Sequence, residues 1–363
     1  NPIFSFSLSE VFAFLCFIGL LEECIRNPNK LTNFCNRNIV LCGLFILVVA
    51  SILFSFVFSI DKYSAFRGLL KYFFAFSVLF YFMTFEFTKD DYYFLIKSIS
   101  EISLVAMIIG IVSYFLIDNW TTPSGFRYFN IHENTSGQIF LVAMVTSTKI
   151  FFDNRKPYLS FISFFLGFSL IFLSGNKTAL ILSILFSLYF FYKLTSFKPR
   201  YFFFLLIPIF AFTIISDDQL EYIQRLVEIF SNPLAYRTII ARFEIYSNAL
   251  ILIENHPFGL GVYNIDLYLR DDFGNLLNHP HNIILQFFLE IGVIGALSLL
   301  SFLSILFFKG LFFSQSSKVF IIVSILYFLM NNLSGGFSAV SHLLFWSYLG
   351  VSVNFLYNNS YET

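Results

Sequence analysis

Apolar runs near the length needed to cross a bilayer, about 20 residues, alternate along this chain with short polar breaks. They cover residues 3–21, 39–60, 68–86, 99–117, 137–152, 158–174, 179–195, 201–216, 282–308, 319–334 and 342–357. Strands of a membrane barrel would be shorter and would alternate polar and apolar with a period of two, and these runs do neither. The pattern predicts an all-α, polytopic helical membrane protein with eleven spans. Its tightest break is Ser174-Gly175-Asn176-Lys177-Thr178, where two short runs meet.

Composition sharpens this picture. Of 363 residues, 58% are hydrophobic and 21% aromatic, 55 of them Phe, while only 12% are charged. So few polar residues cannot cover a soluble core of that size. A cytosolic enzyme and a disordered chain are excluded, and a net charge of zero leaves no basic excess for nucleic acid. Cys16, Cys24, Cys35 and Cys42 form no CxxC pair and are expected as free thiols.

The charges are unevenly placed. Breaks one, three, five, seven and nine carry Arg26, Lys30, Arg37, Lys89, Lys149, Arg155, Lys156, Lys193, Lys198, Arg200, Lys309 and Lys318. The other short breaks carry only Lys62, Arg67, Arg127 and Lys177, with Lys71 just inside a span. The positive-inside rule makes the odd breaks cytoplasmic, so residue 1 lies outside and the C-terminus inside. The first residue is Asn1 and no signal peptide precedes the first run, so a further N-terminal helix is expected, making twelve spans. Three regions follow: transmembrane helices over 1–216, one large outward loop over 217–281, and transmembrane helices over 282–363.

That loop holds nine acids and four arginines, Arg225, Arg237, Arg242 and Arg270, together with His256, His279 and His281. Residues Arg242–Glu254 read as an amphipathic helix with Phe243, Tyr246, Ala249, Leu250 and Ile253 on its apolar face. His256-Pro257-Phe258-Gly259-Leu260-Gly261 ends it. The chain re-enters the membrane at Asn278-His279-Pro280-His281-Asn282, where Asn278 is the expected cap and Pro280 suits a first turn. His281 then sits in the N-terminal field of the helix, which favours the neutral ring that accepts a proton. The plainer reading is that His279 and His281 are interfacial residues marking a helix start. Glu290 lies deeper in the same span and is expected to pair with a polar helix neighbour; Glu10, Lys97 and Glu101 also read as buried charges. Gly292 and Gly295 are expected to serve close helix packing.

His281-Asn282, nine residues and then Gly292-Val293-Ile294-Gly295 resembles the H-N-x9-G-x-x-G signature of the O-antigen ligase family of bacterial membrane glycosyltransferases. Arg242-Phe243-Glu244-Ile245-Tyr246, Ala249-Leu250 and the His256–Gly261 run are similar to that family's R-x-x-x-aromatic, A-L and H-P-x-x-G-x-G elements. Arg127-Tyr128-Phe129-Asn130 with Asn134-Thr135-Ser136-Gly137 resembles its Arg-containing loop. Where the family commonly has a Ser-Arg pair, this chain has Gly175-Asn176-Lys177-Thr178-Ala179, which keeps the charge but loses the planar fork.

The resemblance implies a glycan donor on undecaprenyl diphosphate, transferred on the outer, periplasmic side of the inner membrane. The acceptor is a sugar of lipid A–core for a ligase, or another lipid-linked glycan for a polymerase. It implies His281 as base and Arg242 as the first cation on the diphosphate, both catalytic. Lys177, Arg127 and Arg237 are further substrate-binding cations, with His279 and Asn282 beside His281. No cofactor or metal is implied, and no DxD pair sits at the membrane edge. A lipid or polysaccharide transporter is the rival class. It should show repeated halves with charges at the midplane of each, and the charge cluster here lies in one loop.

Overall fold

The computed structural model describes residues 8–85, 87–116, 121–122, 125–126, 133–195, 231, 237–271, 280–313, 318–334 and 343–357. Its helices are α1 (Leu8–Arg26), α2 (Pro28–Arg37), α3 (Ile39–Phe58), α4 (Lys62–Thr84), α5 (Lys89–Leu116), α6 (Glu133–Asp153), α7 (Pro157–Leu173), α8 (Lys177–Thr195), α9 (Arg237–Asn255), α10 (Ile265–Asp271), α11 (Ile283–Phe313), α12 (Lys318–Ser334) and α13 (Leu343–Tyr357). Two-residue strands, β1 (Thr121–Thr122) and β2 (Gly125–Phe126), pair antiparallel between α5 and α6. The protein is an all-α polytopic membrane protein. Helices α3, α4, α5, α6 and α11 contain segments long and apolar enough to cross a bilayer, and α7, α8 and α12 contain shorter apolar helices. Ten of the eleven predicted runs fall on helices; the run at 201–216 lies outside the described residues.

The chain forms two compact units, residues 1–86 with 237–363, and residues 87–236. In the second, α6 packs on α5 and α7, and β2 lies against α6 and α7. Helix α5 starts ten residues before the apolar run. Its start is set by a reciprocal cap, in which Thr88 N–H donates to Asp91 Oδ2 at 3.0 Å and Asp91 N–H donates to Thr88 Oγ1 at 3.1 Å. Lys97 and Glu101, expected buried, are therefore on an exposed side of a longer helix. Ser160 Oγ donates to Thr148 O at 2.7 Å, tying α7 to α6.

In the first unit α3 packs along α11, and α4 packs on α1 and α13. The C-terminal end of α4 is held by one side chain, since Asn354 Nδ2 donates to Phe82 O and Met83 O at 3.0 and 3.1 Å. Trp346 stacks edge-on to Phe76 across the same helix pair, with ring centroids 5.4 Å apart. The polar break at residues 22–38, expected as a loop, contains the short helix α2, which Pro28 opens at its first turn.

Candidate functional site

Helix α9 carries Arg242 on the face it buries. The side chains packed inward are Ile245, Ala249 and Leu252, joined by Tyr246 and Ile253, and they meet Leu285 and Leu289 of α11 and Leu260, Ile265, Tyr268 and Leu269. At 100° per residue Arg242 falls on the line through Ala249, one to two turns ahead of this cluster. The expected apolar face is thus rotated: Phe243 and Leu250 are 59% and 60% exposed. Five apolar positions at helical spacing allow two faces, and packing against α11 selects the one without Phe243.

After α9 the chain crosses α11 as a loop with two turns, residues 256–264, and the glycines explain how. Gly292 breaks α11 with φ 73° and ψ 177°, a conformation open essentially to glycine alone. The freed backbone bonds to the loop: Val293 N–H donates to Pro257 O at 2.9 Å, and Leu260 N–H donates to Leu289 O at 2.7 Å. Main chains approach so closely that a Cβ on Gly292 would lie 2.5 Å from Phe258 C, and one on Gly259 would lie 2.7 Å from Glu290 O. Gly292 is therefore the acceptor of a crossing loop rather than a helix-packing residue. Gly295 packs closely on Ser51 of α3, as expected of it.

Beyond the crossing the loop is clamped to the α3–α4 turn. Asn264 Oδ1 accepts from Asp61 N–H at 3.0 Å, and Asp61 caps α4 by accepting from Tyr63 and Ser64 N–H at 2.9 and 3.2 Å. The Ser64 hydroxyl and backbone, and then the Tyr63 amide, hold the Asp61 carboxyl below the usual carboxylate range. Gly68 of α4 leaves the room that Val262 and Tyr263 occupy. Glu290, 2% exposed, sits under this loop. It accepts from Tyr72 Oη and Gln286 Nε2, both at 2.9 Å, and from the Tyr263 backbone. Gln286 is the polar helix neighbour anticipated for it; Tyr72, from α4, was not. On the far side of the ring, Lys71 Nζ donates to Tyr263 Oη at 3.0 Å.

His281 lies two residues before α11. The cap is Asn282, whose Oδ1 accepts from Leu285 N–H at 3.0 Å. The expectation that Asn278 caps and Pro280 forms the first turn is corrected: Pro280 is buried outside the helix, and His281 stands one residue ahead of the cap. Its backbone is left-handed, φ 48°, uncommon for a residue with a side chain. Its Nδ1 is buried while the residue as a whole is half-exposed. Helices α9 and α11 both run toward the Pro257–Val293 bond. The register thus carries Arg242 and His281 to the same end of this pair, roughly 20 Å and 16 Å back along it. Arg237 is the first residue of α9, on that end as well.

Lys177 belongs to the second unit and opens α8. Asn176, buried, caps the helix by accepting from Ala179 N–H at 2.9 Å, and Gly175 turns the chain with φ 69°. Ser174 Oγ donates to Ile171 O at 2.7 Å. The turn seats against Gly137 of α6, where a Cβ would meet Asn176 at 2.5 Å, so two segments singled out in the sequence are neighbours. Lys177 itself is half-exposed. Arg127, directly after β2, and His279 lie outside the described residues.

Within the first unit the arrangement offers a guanidinium on the packed face of α9 and an imidazole before the cap of α11. A second cation, Lys71, is joined to the crossing loop. Among the described residues no three His, Cys, Asp or Glu side chains form a metal-binding group. Tyr72, Lys71 and Asn264 escaped the sequence reading, because their partners lie about 190 to 220 positions away. No curated protein matches the chain. Residues 162–300 match the family model described as O-antigen ligase, a span from α7 to just past the Gly292 break that holds Lys177, Arg237, Arg242, His281 and Asn282. This stretch is similar to the O-antigen ligase family, and the likeness supports a function of the O-antigen ligase or polymerase type.

Proposed function

We propose that this protein is an O-antigen ligase-like glycosyltransferase of the bacterial inner membrane, with residues 217–281 on the periplasmic side. It moves a polysaccharide from undecaprenyl diphosphate to a sugar hydroxyl of lipid A–core. The observation that carries the reading is the family match over 162–300, which encloses Arg242, His281 and the glycine break between them and the membrane span. In the reaction the acceptor oxygen forms a bond to the anomeric carbon as the bond from that carbon to the diphosphate oxygen breaks. The electron pair leaves with the diphosphate, and the hydroxyl proton passes to His281. Arg242 and Arg237 meet the charge that builds on the leaving group; the resemblance gives Lys177 and Arg127 further substrate-binding roles. His279 and Asn282 flank the base, and Asn282 fixes where it stands by capping α11.

In membranes supplied with lipid-linked donor and core acceptor, His281→Ala should lower transfer about 10²- to 10⁴-fold. Arg242→Ala should lower it about 10²-fold. Both proteins should be present at normal levels. Full transfer by both would remove this site assignment. The surface glycan of a deletion strain decides the acceptor: core without any polymer identifies the ligase, and core bearing a single repeat unit identifies a polymerase.

A further inference from the structure

We propose that Lys71, held by Tyr263, is an anion site for a lipid phosphate that enters from the membrane side of α4. The reaction proposed above supplies one such ligand, the diphosphate of the donor. Lys71 lies nine residues into α4, about 13 Å from its outer turn, inside a segment apolar enough to span the bilayer. A lysine there is costly and needs a compensating partner. Among the described residues no carboxylate is in ion-pair contact with it, and its hydrogen bond goes to a neutral phenol, Tyr263 Oη at 3.0 Å. The nearest acid in this network is no counter-ion, because Glu290 is already filled by Tyr72, Gln286 and the Tyr263 backbone.

The fold goes to some length to bring the phenol there. Tyr263 adopts a left-handed backbone, φ 63°, a strained conformation for a residue with a side chain. Gly68 on α4 leaves the space its ring enters, and Asn264 pins the next residue to Asp61. Both groups are half-exposed, so the ammonium keeps a route to the surface. An ammonium with three donors, one of them spent on a phenol, suits a phosphate oxygen.

The test uses the full chain in detergent, with native mass spectrometry counting bound lipid. Two matched pairs serve as probes: undecaprenyl diphosphate against undecaprenol, and phosphatidylglycerol against diacylglycerol. Wild type should prefer the phosphate-bearing member of at least one pair. Lys71→Gln should weaken that member about tenfold and leave its neutral match unchanged, Lys71→Arg should restore most of the affinity, and Tyr263→Phe should cost a few-fold. Loss confined to undecaprenyl diphosphate identifies the donor as the source; loss confined to phosphatidylglycerol identifies an ordinary bilayer lipid. If Lys71→Gln leaves both phosphate lipids bound as in wild type, or weakens the neutral lipids equally, the site is overturned while the transfer reaction stands. If His281→Ala and Arg242→Ala both keep full transfer but Lys71→Gln loses phosphate-dependent binding, the His281–Arg242 assignment falls and the anion site remains.

Discussion

The two parts of α11 are equally apolar in sequence, yet only the second carries an exposed stripe. Before Gly292, no side chain of residues 283–291 is exposed and most are buried, with Phe287 1% exposed and the polar pair Gln286 and Glu290 held inward. After it, Ile294, Leu297 and Phe308 are 57%, 53% and 59% exposed in an outward stripe, as a lipid-facing helix requires. The crossing loop at residues 256–264 makes the difference. It caps the first part with protein and leaves the second, of about 20 residues, to span the bilayer. Hydropathy cannot separate the two, since lipid and a protein core are alike to an apolar side chain.

The comparison breaks most completely at the hinge. Gly292→Ala adds left-handed strain of about 1–3 kcal/mol and a clash with the Phe258 and Pro257 main chain worth up to about 3 kcal/mol more. A deep drop in thermal midpoint in detergent, with loss of transfer, is expected; a protein of wild-type stability would mean the crossing does not form. Next is a matched pair. Phe287→Ala should cost about 3–4 kcal/mol because it opens a cavity, whereas Phe308→Ala should cost under about 1 kcal/mol. Equal losses would show that the two halves do not differ.

Glu290→Ala comes third. It leaves Tyr72, Gln286 and the Tyr263 amide without their acceptor, for about 2–3 kcal/mol, and Glu290→Gln should recover part of it. Smallest is the acid dependence of the clamp under the loop. The folded state holds the Asp61 carboxyl below its ordinary range, so its contribution is complete above that range and is lost as pH falls through the lowered value. A melting series from neutral to acid pH should show this loss in wild type and lack it in Asp61→Asn. Identical profiles would mean that the cap adds nothing.

Much of the molecule was legible in residue order. Span positions agree with helices to within a few residues over most of the chain, because a bilayer demands long apolar helices and punishes anything else. Where the limits differ, the cause is local: the Thr88–Asp91 cap moves the start of α5, and Pro28 builds α2 from a polar break. The two motif runs, His256–Gly261 and His281–Gly295, were visible as separate strings. That they are the two sides of one backbone crossing was not. Rotation of α9 was also misread, since Phe243 and Ile245 both fit a helical period and only a partner chooses between them.

What the sequence alone determined is the helical membrane class, the partition of charge between short breaks and the large loop, and the residues that carry the family resemblance. These follow from composition, spacing and local chemistry, which act over a few residues. Tertiary structure decided which face of α9 presents Arg242, that Asn282 rather than Asn278 caps α11 behind His281, and that Gly292 divides lipid-facing from protein-facing helix. It also joined Lys71, Tyr263, Tyr72 and Glu290 into one network across nearly 220 residues of chain. Those outcomes depend on hydrogen bonds and close backbone approach between distant segments, and a linear pattern holds no record of which segments will meet.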